Sequence, residues 1–352
     1  MDQAPKRPHA EVVLRCRELA QCVDFFVDLG FRLERIFPAD APRSANLAGH
    51  GLAVCLERAD VDGGGHLRIA ATRARECTAP NGTRIEFAVP TAQRSTRAAA
   101  TFVVRRGGDG GGWHAGRAGM QYRDLVAGRQ DGELIASRIR IDRAGAVPDY
   151  VHHHGVLAQI IYCRSGGVRV VYEDQGEPFW LRPGDCVLQP PGIRHRVLEC
   201  TDGLEVIEVS SPAEHDTWVD HELELPTAEL RPEREFAGQR FVRHQANGAV
   251  LRPWDVPGFD ARETGIGAAS RGAIGVRVVR AARSDAEGTL RHGDDRRFWF
   301  VLRGACSLAH GSARHRLEEN DAAVLPPGAP FALAECTPGL ELLEVVCNAR
   351  PH

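Results

Sequence analysis

An internal repeat constrains the fold of this chain more than any other feature of its sequence. The segment LRPGDCVLQPPGIRHRVLECTDGLEVIEV, residues 181–209, aligns without a gap on LEENDAAVLPPGAPFALAECTPGLELLEV, residues 317–345. Both copies consist of short runs of aliphatic and β-branched residues separated by Gly and Pro, a pattern that predicts short antiparallel strands. Two such copies in tandem therefore predict a duplicated, all-β barrel.

Three histidines near the first copy of the repeat form a candidate metal site. In VHHHGVLAQIIYCRSGG, strand alternation places His152 and His154 on one face and His153 on the other. Gln159 begins the next apolar strand, and His195 follows the Pro-Pro-Gly turn. Neutral imidazoles each need a donor and an acceptor partner, which one small barrel can hardly supply to three rings. We therefore predict that these three histidines bind a divalent metal ion, with histidines satisfied within the core as the alternative.

The two motifs around these histidines resemble those of the cupin superfamily. The first cupin motif is HxH followed by Glu and Gly, and the second is Gly-Asp, an apolar strand, Pro-x-Gly and His. The matching residues are His152, His154, Gln159 and Gly166 in the first motif and Gly184, Asp185, Pro190, Gly192 and His195 in the second. The resemblance implies a bicupin, a mainly β protein with tandem double-stranded β-helix barrels.

Gln159 stands where the cupin pattern usually has Glu. A carboxylate would lower the charge of a 2+ site, whereas an amide leaves it unchanged and favours anionic, chelating substrates. Gln159 is predicted as a fourth ligand, or as a hydrogen-bond partner of a ligand or a bound water. Imidazole ligands suit Fe(II), Mn, Ni, Zn and Cu. Cupin dioxygenases with three-histidine iron sites, including gentisate, β-diketone and thiol dioxygenases, are the relevant comparison and favour Fe(II).

The resemblance implies a non-haem Fe(II) dioxygenase that uses O2 on a small anionic substrate, carboxylated or enolisable. Gln159, Tyr162 and Arg138 are the predicted catalytic residues. The fork of Arg138 suits a substrate carboxylate, although a solvated strand face is the alternative, and Tyr162 either lines the pocket or packs in the core. Two other functions stay open: a metal-dependent isomerase, lyase or epimerase, and a non-catalytic small-molecule-binding cupin.

The second copy of the repeat lacks this set of histidines. The equivalent positions, in the order of the first copy, hold Leu290, His292, Arg297 and Phe331. One histidine beside an arginine cannot hold a metal ion with useful affinity. The second barrel is therefore predicted to be structural, with effector binding as the alternative.

The first part of the chain carries a different pattern. EVVLRC predicts a strand, RELAQCVDFFVDLG a helix that ends at Gly30, and FRLERIF, GLAVCLE and NGTRIEFAVP further strands. This small α+β βαβββ unit resembles one module of the glyoxalase/bleomycin-resistance (vicinal oxygen chelate) family. In that family the Glu of the closing strand, here Glu86, is often a metal ligand, and His9 lies near the first-strand ligand. Because that family pairs two modules, a structural or dimerising module is the alternative.

These patterns predict five segments along the chain. They are a vicinal-oxygen-chelate-like module (1–90), a Gly-rich linker (91–119), the metal-binding cupin barrel (120–217), a connector (218–260) and a degenerate cupin barrel (261–352). The net charge of -3 argues against a nucleic-acid partner. No stretch approaches the roughly 18 apolar residues of a membrane span, so a cytoplasmic protein is expected. We also expect a homodimer.

Overall fold

The computed structural model describes residues 10–28, 30–60, 63–70, 72–78, 84–88, 101–109, 112–283, 286–290, 293–328 and 330–348. The chain divides into two compact units, one formed by Met1–Arg94 with His215–His221 and the other by Ser95–Glu214 with Glu222–His352. Strands dominate, which confirms the predicted mainly β class with its double-stranded β-helix. Within the described ranges, no helix combines the length and apolar character needed to cross a membrane.

The first unit contains the predicted helix and strands at all four predicted positions, and between them it has three further strands, Ser44–Gly49, Gly63–Ala70 and Arg75–Thr78, that the sequence did not predict. Its helix is Leu19–Asp28. Its strands are Ala10–Cys16, Arg32–Phe37, Ser44–Gly49, Leu52–Arg58, Gly63–Ala70, Arg75–Thr78, Arg84–Ala88 and Thr217–Val219. Gly30 has a φ of 89° and its N–H donates to the carbonyl of Val27, so a glycine in the left-handed region follows the helix as predicted.

Glu86, the predicted metal ligand of this unit, lies in a network of charged side chains. Its Oε2 is 3.1 Å from Nε2 of His66 and 3.3 Å from Nε of Arg68. Burial raises the pKa of Glu86, but the Arg68 charge and these hydrogen bonds outweigh it and leave the pKa lowered. His9 lies outside the described residues, so the vicinal-oxygen-chelate assignment stays a prediction.

The second unit contains two barrels, each built from two facing sheets. The first barrel has the strands Gln121–Asp124, Ile135–Arg140, Gly145–Ala146, His152–His154, Ala158–Ser165, Val168–Tyr172, Phe179–Leu181, Cys186–Gln189, His195–Cys200 and Glu205–Ser211. The second barrel has the strands Phe259–Glu263, Ile274–Ala281, Gly288–Leu290, Arg296–Arg303, Ala305–His310, Ala313–Glu318, Ala322–Leu325, Phe331–Ala334 and Glu341–Cys347, with the short helix Ile266–Ala269.

Short additional elements lie before each barrel. They are the strands Val103–Arg105, His114–Ala115, Glu235–Phe236, Gln239–Arg240, Val242–His244 and Arg252–Pro253, with the 3-10 helix Arg117–Gly119. A second 3-10 helix, Ala127–Gly132, lies within the first barrel, between its first two strands. Val103–Arg105 precedes the first barrel but pairs with Ala322–Leu325 of the second. Val242–His244 precedes the second barrel but pairs with Cys186–Gln189 of the first. The segment before the first barrel thus adds a strand to a sheet of the second barrel, and the segment before the second barrel adds a strand to a sheet of the first.

The two barrels share one hydrophobic core. Ile160 and Ile207 from the first barrel pack in it with Phe298 and Phe300 from the second, and all four are fully buried. Burial of each such side chain stabilises the fold by roughly 1.5–3 kcal/mol. Because strand side chains alternate, the even-numbered residues of Ala158–Ser165 face this shared core and the odd-numbered ones face the interior of the first barrel.

Candidate metal centre

The fold brings the three histidines of the first barrel together. His152 and His195 are direct register partners in neighbouring antiparallel strands, and their ring centroids are 4.2 Å apart. The centroid of His154 lies 5.1 Å from that of His152 and 5.2 Å from that of His195. All three rings are buried, and one ligand nitrogen from each lies within 4.8 Å of the others. This is a donor set that could hold a metal ion.

Backbone carbonyls fix the tautomers of two of these rings. Nδ1 of His152 lies 2.8 Å from the carbonyl oxygen of Tyr150, and Nδ1 of His195 lies 3.0 Å from that of Ile193. Because a carbonyl only accepts, each Nδ1 carries the proton and each Nε2 keeps its lone pair. Burial lowers the pKa of His195 to about 4, and burial with the Arg117 charge lowers the pKa of His152 well below 6.5. Both rings are therefore neutral near pH 7, the form that binds metals.

Arg117 is a site residue that the sequence analysis missed. It lies in the segment predicted as a Gly-rich linker, yet its side chain is only 8% exposed. Its Nη1 contacts the carboxylate of Asp149, and its Nη2 lies 2.7 Å from Nε2 of His152. One lone pair cannot serve a guanidinium and a metal ion together, so metal binding at His152 requires Arg117 to turn away from this ring.

Asp149 ties Arg117 to the strand that carries His195. The carboxylate is fully buried and also accepts the backbone N–H of Val197 at 2.9 Å. Burial lowers the pKa of Arg117, but the Asp149 carboxylate and weaker neighbouring charges raise it more, so the arginine stays charged. The first barrel therefore holds a buried ion pair directly beside the histidines.

A cavity of about 70 Å³ lies inside the first barrel next to the histidines. Aliphatic side chains form most of its wall. Its polar lining includes Arg117, His154, Tyr172, Gln189, His195 and Glu208. Nε2 of Gln189 donates to the hydroxyl of Tyr172 at 3.1 Å, which fixes one side of this polar lining.

Gln159 faces the same barrel interior. Its register partners on the two neighbouring strands are Gln189, which lines the cavity, and Ser210. Its amide is buried, and among the described residues neither its oxygen nor its nitrogen has a hydrogen-bond partner. Buried polar groups are almost always satisfied, so this amide suits a ligand or a partner of a bound group.

The structure does not bring the other two predicted catalytic residues to the cavity. Arg138 binds Glu205 through two hydrogen bonds of 3.0 and 2.5 Å, on the face of its strand opposite the cavity-lining Ile139. Tyr162 packs in the core shared by the two barrels, where burial raises its pKa. Strand alternation explains both positions, which argue against the catalytic roles predicted from residue type alone.

The second barrel has apolar side chains at the positions of two histidines. Leu290 and Phe331 are register partners, as His152 and His195 are in the first barrel, which supports the repeat alignment. Both are buried in a core that contains Trp254 and Trp299. Arg297, opposite Gln159 in the alignment, donates to Glu344 at 2.8 Å, and His292 lies outside the described residues. The described interior of this barrel is thus filled by large side chains.

No family model and no curated protein matches this chain, but solved structures do. Protein Ylba from E. coli is 12% identical and matches over 74% of this chain and 96% of its own, with a TM-score of 0.52. Salicylate 1,2-dioxygenase from Pseudoaminobacter salicylatoxidans, solved as adducts with gentisate, is 16% identical over 73% and 83%, with a TM-score of 0.50. A putative glyoxylate induced protein from Pseudomonas aeruginosa is 12% identical over 75% and 93%, with a TM-score of 0.50.

The chain has the cupin fold. These likenesses cover about three quarters of the chain. At such identities they show the fold alone.

Proposed function

We propose that this cupin is a non-haem Fe(II) dioxygenase that acts on a small anionic substrate, carboxylated or enolisable. The observation that carries the proposal is the convergence of three buried histidines, two of which are neutral rings with the proton on Nδ1; the Nε2 lone pair of His152 becomes available to a metal ion when Nη2 of Arg117 leaves it. When bound at His152, His154 and His195, divalent iron supplies Lewis acidity and the capacity to activate O2. The likeness to a protein named as salicylate 1,2-dioxygenase supports a dioxygenase reaction at this centre.

The residues around the centre suit an anionic substrate. Neutral ligands leave the 2+ charge of the ion intact, and Arg117 adds a cation to the cavity lining. Its Nη1 is paired with Asp149, and its Nη2 is released once a metal ion takes Nε2 of His152. Arg117 lines the cavity and the predicted Arg138 does not, so the released Nη2 of Arg117 is the guanidinium nitrogen that can bind a substrate carboxylate. The rest of the cavity wall is mostly aliphatic, and such a low-dielectric surrounding strengthens these electrostatic interactions.

The test is iron binding followed by measurement of oxygen consumption. Protein loaded with Fe(II) under anaerobic conditions is expected to bind one ion per chain and then to consume O2 with a carboxylated catechol-like, diketone, thiol or short oxo-acid substrate. The His152→Ala variant is the control, and it is expected to do neither. A protein that binds iron but consumes no O2 with any of these substrates would contradict the dioxygenase assignment.

Gln159→Glu tests whether the amide sets the charge of the centre. A carboxylate at this position would lower the site charge by one and hold a divalent ion more tightly. We expect a rise in metal affinity of about tenfold, or about 1.4 kcal/mol, in competition titrations with a chelator. Gln159→Leu, which has no ligand atom, is expected to weaken binding. Equal affinities for the two variants would show that Gln159 does not act on the metal.

One observation favours a second candidate function, a metal-dependent isomerase, lyase or epimerase. The Glu208 carboxylate lines the cavity and supplies the acid–base group that such reactions need.

Other parts of the chain lie away from the metal centre. We propose that the second barrel is structural, that the chain follows the five predicted segments, and that the protein is a cytoplasmic homodimer.

A further inference from the structure

Glu208 of the first barrel corresponds in the repeat to Glu344 of the second barrel, which forms ion pairs. The gapless alignment of the two copies places Glu208 opposite Glu344. In the second barrel, the Glu344 carboxylate is fully buried and contacts Arg277 and Arg297, with the indole N–H of Trp299 donating at 3.0 Å. There the interior glutamate is committed to two ion pairs that hold the barrel together.

The surroundings of the glutamate differ in the first barrel. The register partners of Glu208 are Ser137 and Ile161, where Glu344 has Arg277 and Trp299. Without bulky side chains at these positions, the barrel interior keeps its cavity, and Glu208 forms part of the wall. The same interior carboxylate thus forms two ion pairs in the second barrel and belongs to the cavity lining in the first.

The cavity brings three chemical groups to one space. Glu208 shares it with the guanidinium of Arg117 and with the rings of His154 and His195. The cavity lining therefore includes the Glu208 carboxylate, which can accept a proton, and the Arg117 guanidinium, which can bind a carboxylate. It also includes two histidines of the candidate metal centre. That combination matches a substrate that is both an anion and a carbon acid.

The size of the cavity limits this substrate further. Its volume of about 70 Å³ is half or less of the roughly 150 Å³ at which an apolar cavity binds benzene. A short aliphatic chain suits such a space better than an aromatic ring does. The aliphatic wall suits the carbon end of that chain.

We propose that Glu208 is a catalytic base that removes a proton from the carbon next to the carbonyl of a short aliphatic oxo acid. This deepens the proposed function and rests on a metal ion at the three histidines. The C–H bond breaks, its proton moves to the Glu208 carboxylate, and its electron pair enters the substrate as an enolate. Nη2 of Arg117, released from His152 when the metal ion binds there, holds the substrate carboxylate. The step is reversible and consumes no oxidant.

The test is hydrogen exchange at carbon in the absence of oxygen. Protein loaded with Fe(II) is incubated anaerobically with pyruvate or 2-oxobutyrate in D2O, and deuterium at C3 is measured by mass spectrometry. Wild type is expected to accelerate exchange over metal-free protein. Glu208→Gln is expected to lower the rate by at least about 100-fold while keeping its iron, as loss of a general base does. Glu199→Gln, on the same barrel at a half-exposed residue bonded to Arg169, is the matched control and is expected to exchange normally.

Iron content measured on the same samples separates the two proposals. Wild type that binds no iron would contradict the metal centre and the proposed function. Wild type that binds iron without exchange, or Glu208→Gln that exchanges at the wild-type rate, would overturn the role of Glu208 alone. If Glu208→Gln does not fold, Glu208→Asp keeps the charge and moves the carboxylate by one methylene group. It is expected to retain iron and to lose at least about tenfold in exchange rate, and a wild-type rate there would overturn the proposal.

Discussion

Replacing His195 with alanine is expected to empty the metal centre. Its ring is buried between His152 and Tyr172, and its Nδ1 is held by a backbone carbonyl, so no other side chain can take over its Nε2. Loss of a hydrogen bond behind a metal ligand already costs 10–100-fold in affinity, and loss of the ligand is expected to cost more than about 100-fold. Metal content after dialysis, measured by mass spectrometry, gives the result directly.

His153→Ala is the matched control for this experiment. It removes a histidine from the same strand as His152, at a position that faces the opposite side of the sheet. We expect its metal content to equal that of wild type. The centre would be placed wrongly if His195→Ala kept its metal, or if His153→Ala lost as much as His195→Ala did. Circular dichroism of both variants separates loss of metal from loss of fold.

The histidine cluster could be predicted from the sequence because its signals are local. If residues 152–154 form a strand, alternation places His152 and His154 on one face of the sheet. The Pro-Pro-Gly turn before His195 marks the start of the strand that carries the third histidine. The repeat then predicted a second barrel with Leu290 and Phe331 in place of two ligands. The register pairs of the structure agree with both inferences.

Arg117, Asp149 and Glu208 could not be found in the same way. Arg117 is 35 residues before His152 in the chain and contacts it only in the folded barrel. The glycines near Arg117 predicted a linker, so there was no reason in the sequence to place it in the barrel. Asp149 pairs with Arg117 through the same closure. Glu208 lies in a strand that is otherwise aliphatic. The only sequence feature that distinguishes it is its alignment with Glu344 in the repeat.

The strand pairings between the two barrels could not be predicted from the sequence either. Val103–Arg105 and Val242–His244 are only three residues long and lie in segments rich in charge and glycine, so they carry no clear alternation. They become strands because an open sheet edge in the other barrel offers unpaired backbone groups. In the same way, Gly63–Ala70 of the first unit begins with three glycines and gave no strand pattern.

Asp149→Asn is expected to cost about 3–5 kcal/mol of unfolding free energy, the largest stability effect of a single change near the site. The carboxylate is fully buried and Arg117 is 8% exposed, so the variant leaves a guanidinium charge without its counter-ion inside the barrel. Removing one partner of a buried ion pair typically costs this much. Urea denaturation of metal-free wild type and variant measures the difference.

Two comparisons separate a buried charge from a general loss of packing. The double variant Asp149→Asn/Arg117→Gln removes both charges and is expected to recover most of the lost stability, because no uncompensated ion remains. Glu233→Gln breaks an exposed pair with Arg240 by the same chemical change, and it is expected to cost less than about 1 kcal/mol. If Asp149→Asn were as mild as Glu233→Gln, the carboxylate would not be needed to hold Arg117. If the double variant recovered nothing, the loss would come from the hydrogen bond to Val197 and from packing, and not from charge.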